Sequence, residues 1–345
     1  MKTYSFLLVI LLFNSLSQAQ FENVFSSEGD ADKFITEYTR PMFEGLLSAT
    51  GSGWVTSAQA LKPFHFELNI NAIAAVVPAE YETFYFDETD YDYLRIENGP
   101  NILPTMLGGE SNTTMKIVIP INSNLYKVTE FDAPAGIKNE LDLPVNMVPA
   151  PAVQLSMGLP LQSEISIRYL PELNSNDGGY VSLLGLGFKH SISQYFLQKK
   201  DENGKKKKRI FNLAAHASFQ NIQAGYIDPG SDKSVKLTLN TINFQGLASF
   251  DFKILSIYSS VTYFKGFSNL TVLGTYEYIY NIEDVNGNFL GTSTSTIIDP
   301  LNLDFNQNDI GFGVGAKLKL LFLSVYAEYT LKKFPVARVG IGLTM

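Results

Sequence analysis

His216-Ala217-Ser218 sets an imidazole and a hydroxyl two residues apart. On a strand, residues i and i+2 point the same way. At that spacing a histidine can take the serine proton while the oxygen attacks an acyl carbon. A lipid substrate would require the pair to face lipid. Phe211, Leu213 and Phe219 occupy the opposite face, which leaves His216 and Ser218 with Asn212 and Gln220 on the polar one. The expectation is a hydrogen-bonding pair inside a lumen, not an enzyme. His65 and His190 stand alone, and the chain has no cysteine. Three histidines without a thiolate do not compose a transition-metal site, so neither metal nor cofactor is expected.

Residues 80–98 concentrate Glu80, Glu82, Asp87, Glu88, Asp90, Asp92 and Glu97 against the single Arg95. Carboxylate oxygens suit Ca²⁺. The EF-hand spacing fails, because Leu94 and Arg95 follow Asp92 where a further ligand and a glycine belong. A solvated external loop, its tyrosines and phenylalanines packed over a barrel mouth, is the simpler reading. Calcium binding and partner recognition are its alternatives.

The elements that must position these residues are β-strands. The chain has 345 residues, 45% hydrophobic, 13% aromatic and only 17% charged. That is too apolar for disorder. Its formal net charge of −8 excludes a nucleic-acid partner, which needs a basic surface. Residues 1–19 read as a signal peptide: Lys2, an apolar run over 6–13, then Ser17-Gln18-Ala19 as cleavage site, so that the mature chain starts at Gln20. Beyond it no apolar run is long enough for a spanning helix.

Period-two alternation recurs instead. Leu68, Ile70, Ala72 and Ala74 oppose Glu67, Asn69 and Asn71; Ile165, Ile167 and Tyr169 oppose Glu164, Ser166 and Arg168; Ile310, Phe312 and Val314 oppose Gly311, Gly313 and Gly315. The segments run about 9–14 residues, near the about 9–11 of a tilted transmembrane strand, and the polar faces carry charges and glycines, as a lumen does. The predicted class is all-β: an antiparallel transmembrane β-barrel of about 12–14 strands in the outer membrane of a Gram-negative bacterium, with outer-membrane lipid around it.

Twelve strands fall near 64–77, 151–159, 162–171, 179–190, 209–224, 234–250, 253–265, 269–281, 289–297, 309–319, 321–331 and 334–345. Residues 115–131 offer another pair. Residues 78–150, 171–178, 225–233, 265–269 and 298–308 become external loops, and Asn286-Gly287 the tip of a hairpin. Residues 191–208, ending in Lys205–Lys208, form a long periplasmic connection.

Residues 20–53 break the meander, and 54–345 form the barrel. Ala31, Phe34, Ile35, Tyr38, Met42 and Leu46 follow helical spacing, with Asp30 as N-cap and Pro41 as a kink or a second start. Such a helix before the first strand reads as a plug inside the barrel, with Phe34, Tyr38 and Met42 as its contacts. Arg168, Lys189, His216, Lys317 and Glu328 point into the lumen as solute contacts. Pairing with one another and with the plug is the structural default for the lumen charges, which also include Glu164 and Lys319.

Leu103-Pro104-Thr105 with Gly108-Gly109, the run 185–190 (GLGFKH), and Tyr329 with Val339-Gly340-Ile341-Gly342 resemble a family of signal-bearing outer-membrane barrels of unknown function. More loosely, a helical segment ahead of about fourteen strands is similar to the outer-membrane transporters of long-chain fatty acids and aromatic hydrocarbons. That likeness implies an N-terminal plug and a lateral opening for apolar solutes, but no residue motif carries over, and the chain ends in Met345 rather than an aromatic. The leading expectation is a channel or transporter for small apolar solutes passing a plugged lumen. A closed structural or interaction barrel using its external loops is the second reading, and an outer-membrane lipid hydrolase the third.

Overall fold

The computed structural model describes residues 24–27, 29–139, 145–196 and 209–345. The leader expected over 1–19 and the run Lys205–Lys208 lie outside the described residues.

A helix, α1 (Gly29–Thr50), comes first. Strand β1 (Phe66–Val76) follows, then five strands from the long connection: β2 (Thr83–Tyr85), β3 (Leu94–Asn98), β4 (Ile102–Pro104), β5 (Thr114–Asn122) and β6 (Leu125–Asp132). Next come β7 (Met147–Pro149), β8 (Ala152–Leu159), β9 (Ser163–Asn174), β10 (Gly179–Ser191), β11 (Phe211–Ile227), β12 (Ser234–Asp251) and β13 (Leu255–Leu273). The last are β14 (Thr275–Asp284), β15 (Phe289–Ile298), β16 (Leu301–Leu320), β17 (Leu323–Leu331) and β18 (Val336–Thr344).

The order β18-β17-β16-β13-β12-β11-β10-β9-β8-β1 closes when β18 pairs with β1, from Glu67↔Thr344 to Ala75↔Val336. All pairs are antiparallel, so the fold is a closed ten-stranded barrel, the form in which a sheet can span a bilayer. The class is the expected one, but ten strands close the wall rather than 12–14. All twelve expected segments are strands; two of them, β14 and β15, leave the wall. They join the hairpin β5–β6 and the edge strand β3 in a five-stranded sheet, order β15-β14-β6-β5-β3. That sheet caps one end of the barrel.

The expected loops at 265–269 and 298–308 are for the most part strand as well. Their residues belong to β13 and β16, and the reason is a change of phase. In the lower part of β13, Ile257, Val261 and Tyr263 face out, while Ser256, Ser260 and Thr262 face in. Above Phe264 the same strand turns Lys265, Asn269 and Thr271 outward and Leu270 and Val272 inward. Strands β11, β12 and β16 invert at matching registers. The continuous run of outward apolar residues ends at Phe219↔Ile242 and Tyr263↔Ile310; outward polar residues begin at Asn221↔Asn240 and Lys265↔Asn308, with Phe267 and Ile227 among the exceptions above that level. Lipid outside and a polar lumen inside account for the lower pattern. Water outside and an ordinary apolar core inside account for the upper one. The inversion marks the level at which the wall leaves the membrane.

Above that level the four long strands form a half-shell, and the upper part of α1 lies in it. Phe34, Ile35, Tyr38, Met42 and Leu47 are buried there with Leu94, Leu103, Met115, Leu270 and Phe305. The helix runs unbroken through Pro41. Asp30 does not cap its own helix; its carboxylate accepts N–H bonds from Asp92, Tyr93 and Leu94 at 2.9, 2.6 and 2.8 Å, which fastens the cap to the helix. At 22 residues α1 is roughly 33 Å long, enough to reach from the cap into the barrel.

A lysine at Val314, which points to lipid, should cost about 2–4 kcal/mol of unfolding free energy in a bilayer. A lysine at Asn306, on the same face of the same strand above the inversion, should cost less than about 0.5 kcal/mol. Urea titration of the two refolded variants in lipid vesicles checks the difference; equal losses would place the membrane boundary elsewhere.

Candidate functional site in the lumen

Below Thr50 the chain has no regular secondary structure until β1, and it descends through the barrel as a strap. Gly51 N–H bonds back to Leu47 C=O at 3.0 Å and ends the helix. Gly53 then takes φ +74; a Cβ there would come within 2.9 Å of Arg338 Cδ, so the turn and the close approach both require glycine. The carbonyls at this helix end carry the negative pole of its dipole and must be satisfied.

Lys332 donates to the carbonyl of Ser48 at 2.9 Å, the Ser52 N–H to that of Ala49, and Arg168 takes that of Thr50 and the turn beyond it. Its guanidinium donates to the carbonyls of Thr50 (3.2 Å), Ser52 (3.0 Å) and Gly53 (2.6 Å), and to Gln154 Oε1 (3.0 Å). It lies 3.9 Å from the ring centroid of Trp54 and is 1% exposed. Gln220 adds a bond to Thr50 C=O at 3.1 Å.

The other inward charges do the same for the rest of the strap. Arg338 donates to Val55 C=O (2.8 Å) and pairs with Glu328 (3.1 Å). Lys317 bonds Thr56 Oγ1 (3.2 Å) and pairs with Glu67 (2.5 Å). Lys189 donates to the carbonyls of Ser57 and Gln59, each at 3.3 Å, and pairs with Glu164 (2.9 Å). Glu164 in turn accepts the Leu61 N–H at 3.1 Å. Asp251 accepts hydroxyl bonds from Ser57, Ser249 and Ser256 and an amide bond from Asn212. Beside the strap, Asn243, Gln245, Thr262, Glu328 and Lys332 line a polar cavity with room for about one water molecule.

The structure thus brings Arg168, Lys189, Lys317 and Glu328 together around one length of chain. The first three touch the strap directly; Glu328 holds Arg338 and accepts the Tyr258 hydroxyl at 3.1 Å. His216 is buried with its ring 6.0 Å from that of Trp54. Ser218 accepts from Asn243 Nδ2 at 3.3 Å, and no His216–Ser218 bond forms.

The three helix residues sit higher. Phe34 meets Phe84 and Phe86 edge-on, at 5.7 and 6.3 Å. The Tyr38 hydroxyl donates to Ala135 C=O at 2.5 Å, and Met42 is in the same apolar core. They join the cap to the helix, while residues 50–61 run through the barrel.

Sequence reasoning passed over Trp54 and Asp251, and turned Glu67, Gln154 and Arg338 to the polar faces of their strands without giving them a role. One signal could have found the first: the only tryptophan of the chain needs a slot, and β10 offers Gly185 and Gly187 on its inner face. Cβ atoms there would lie 2.8 and 3.0 Å from the Trp54 ring. In the acidic stretch three carboxylates are engaged by protein groups. Glu82 pairs with Lys138 at 2.8 Å, Asp90 with Lys33 at 3.2 Å, and Glu88 accepts the Ile96 N–H. Among the described residues no group of three carboxylates or histidines is placed to hold a metal ion.

The chain belongs to a family of unknown function, DUF6588, whose model matches residues 1–345. No curated protein matches it. Among solved structures it is similar to the loop L8 deletion mutant of OmpT, an outer membrane protein of Vibrio cholerae, at 9% identity and TM-score 0.19, over 81% of this chain and 98% of that one. It is also similar to the outer membrane protease OmpT from Escherichia coli, at 10% identity and TM-score 0.28, over 84% and 100%. The translocator domain of the autotransporter NalP from Neisseria meningitidis stands at 10% and 0.23, over 82% and 89%. Identities and scores this low say nothing of site or activity.

Replacing Lys317 by methionine strands the Glu67 charge in a buried site. It should lower the unfolding free energy by about 3–5 kcal/mol. Pairing it with Glu67→Gln removes the stranded charge and should recover most of that loss. Urea unfolding followed by gel shift reads both; a double variant as unstable as the single one would contradict the buried pairing.

Proposed function

We propose that this member of the family is a closed outer-membrane barrel whose task is to hold the cap outside the membrane as an interaction surface. The observation that carries this reading is the strap: Arg168, Lys189, Lys317 and Arg338 all bond to residues 50–59, and the polar cavity beside it holds about one water molecule. A barrel built to conduct keeps its inward charges for solute. Here Arg168, Lys189, Lys317 and Arg338 are consumed by backbone carbonyls, a strap hydroxyl and carboxylates. His216 and Ser218 serve as lumen packing, and no catalysis is assigned to them.

In this reading the barrel lies in the outer membrane of a Gram-negative bacterium, with lipid on its apolar band. The short turns at 160–162, 252–254 and 321–322 face the periplasm, and the cap faces outward, since such barrels keep their long loops on the external side.

Transport of small apolar solutes is the second reading, and one feature of the wall favours it. Pairing of β8 with β9 stops at Gln154↔Arg168, although β9 continues beside β10 to Asn174 and β7 continues beside β1. Pro149, Pro151 and Pro171 border the gap and have no N–H to bridge it. Partly buried Ala150, Ala152 and Leu170 line its inner side.

A cross-link separates the two readings. Ser57 Oγ and Ser249 Oγ are 3.4 Å apart, so the pair Ser57→Cys and Ser249→Cys can lock the strap to the wall. Vesicles holding the protein should leak an uncharged aromatic dye no faster than empty vesicles, whether the disulfide is formed or reduced. Faster flux that the disulfide abolishes would favour transport.

A further inference from the structure

We propose that β15 is a docking edge which takes up an extended, basic-flanked peptide segment of another protein as a sixth strand of the cap sheet. The proposal rests on the scaffold reading and names the partner chemistry of its cap.

Strand β15 is the last strand of the five-stranded sheet, hydrogen-bonded, among the described residues, to β14 alone. Asp299 N–H bonds Gly274 C=O at 2.9 Å, next to the Thr275↔Ile298 pair. Antiparallel pairs alternate between bonded and unbonded. The N–H groups of Ser293, Ser295 and Ile297 therefore point to β14, and those of Thr292, Thr294, Thr296 and Ile298 point away from the sheet.

Free edges are normally guarded by lysine, proline or a bulge. From Gly291 to Ile298 the edge carries no charge, no proline and no break in register. Its threonines and isoleucines favour the extended form. Exposed apolar residues stand at both ends, Phe289 and Leu290 at one and Ile298 at the other. A row of outward backbone groups gives affinity to an added strand, and the alternate side chains beside it give selectivity.

Charge selects the occupant. Residues 274–299 contain Glu277, Glu283, Asp284 and Asp299 and no lysine or arginine. The neighbouring lysines are engaged on the other face of the ribbon: Lys127 bonds Ser295 Oγ at 2.9 Å and lies over Tyr280, and Lys233 lies over Tyr276. A second copy would bring the same four carboxylates and be repelled. A strand of hydroxyl and β-branched residues with lysine or arginine at its ends fits both the row of threonines and the surrounding charge.

The probe is a labelled peptide of alternating threonine and valine with a lysine pair at each end, titrated onto the full folded chain in detergent. Anisotropy should show saturable binding that weakens as salt rises. Thr294→Pro deletes one outward N–H and leaves the bonds to β14 intact, as proline on an edge does; it should weaken binding at least about tenfold with an unchanged gel shift. If that variant does not fold, Thr294→Lys, a charge guard on the same edge, is read in its place. A twin peptide with glutamate pairs should bind more weakly than the lysine one. No saturable binding of the lysine peptide, or equal binding by Thr294→Pro, overturns the proposal. Dye flux and the strap cross-link would be unaffected by that outcome, so the scaffold reading would stand or fall separately.

Discussion

The structure depends on the burial of charge against a length of chain that has no secondary structure of its own. A strap with unpaired carbonyls inside a barrel would be costly, because each buried polar group without a partner loses its water bonds. Lysines and arginines facing an empty narrow lumen would be costly for the same reason. Each problem solves the other. Arg168 takes the carbonyls of Thr50, Ser52 and Gly53, Arg338 takes Val55, and Lys189 takes Ser57 and Gln59. The carboxylates Glu67, Glu164 and Glu328 balance the charge. Neither strap nor wall has a low-energy state without its partner, so helix, strap and barrel form one unit. The cap is attached to that unit through Asp30, Phe34 and Tyr38.

The second organising constraint is the solvent on each face of the wall. Strands β11, β12, β13 and β16 keep one backbone course, yet the side chains on either face exchange character at one level. The wall is a membrane barrel below that level and part of a water-soluble domain above it. One continuous set of hydrogen bonds thus carries both the lipid-facing band and the shell around α1.

Much of the fold is legible in the sequence for a simple reason: a β-strand repeats every two residues, and lipid outside with polar groups inside makes the repeat visible. The twelve alternating segments and the helix expected over 30–48, which spans Gly29–Thr50, come from local pattern. The strand count of the wall does not, because it depends on which strand lies beside which. β14 and β15 alternate as well as their neighbours do, but β14 pairs with β6, and β15 with β14, rather than with the wall. The loops expected at 265–269 and 298–308 arise from the change of phase, which breaks the alternation without breaking the strand. Alternation also turns Arg168, Lys189, Lys317 and Glu328 inward, but it is silent on what they hold. Their partners lie more than a hundred residues away in most cases, in a strap whose sequence has neither period and whose one conspicuous feature is the lone Trp54.

The central claim is that the strap and its charges close the barrel. Conductance of the refolded chain in a planar bilayer, after a gel shift shows that it has folded, tests this most directly. The account predicts an electrically silent barrel across the applied voltage range. Large, steady single-channel steps from the folded protein would contradict it, because they would require an aqueous path where the strap now lies.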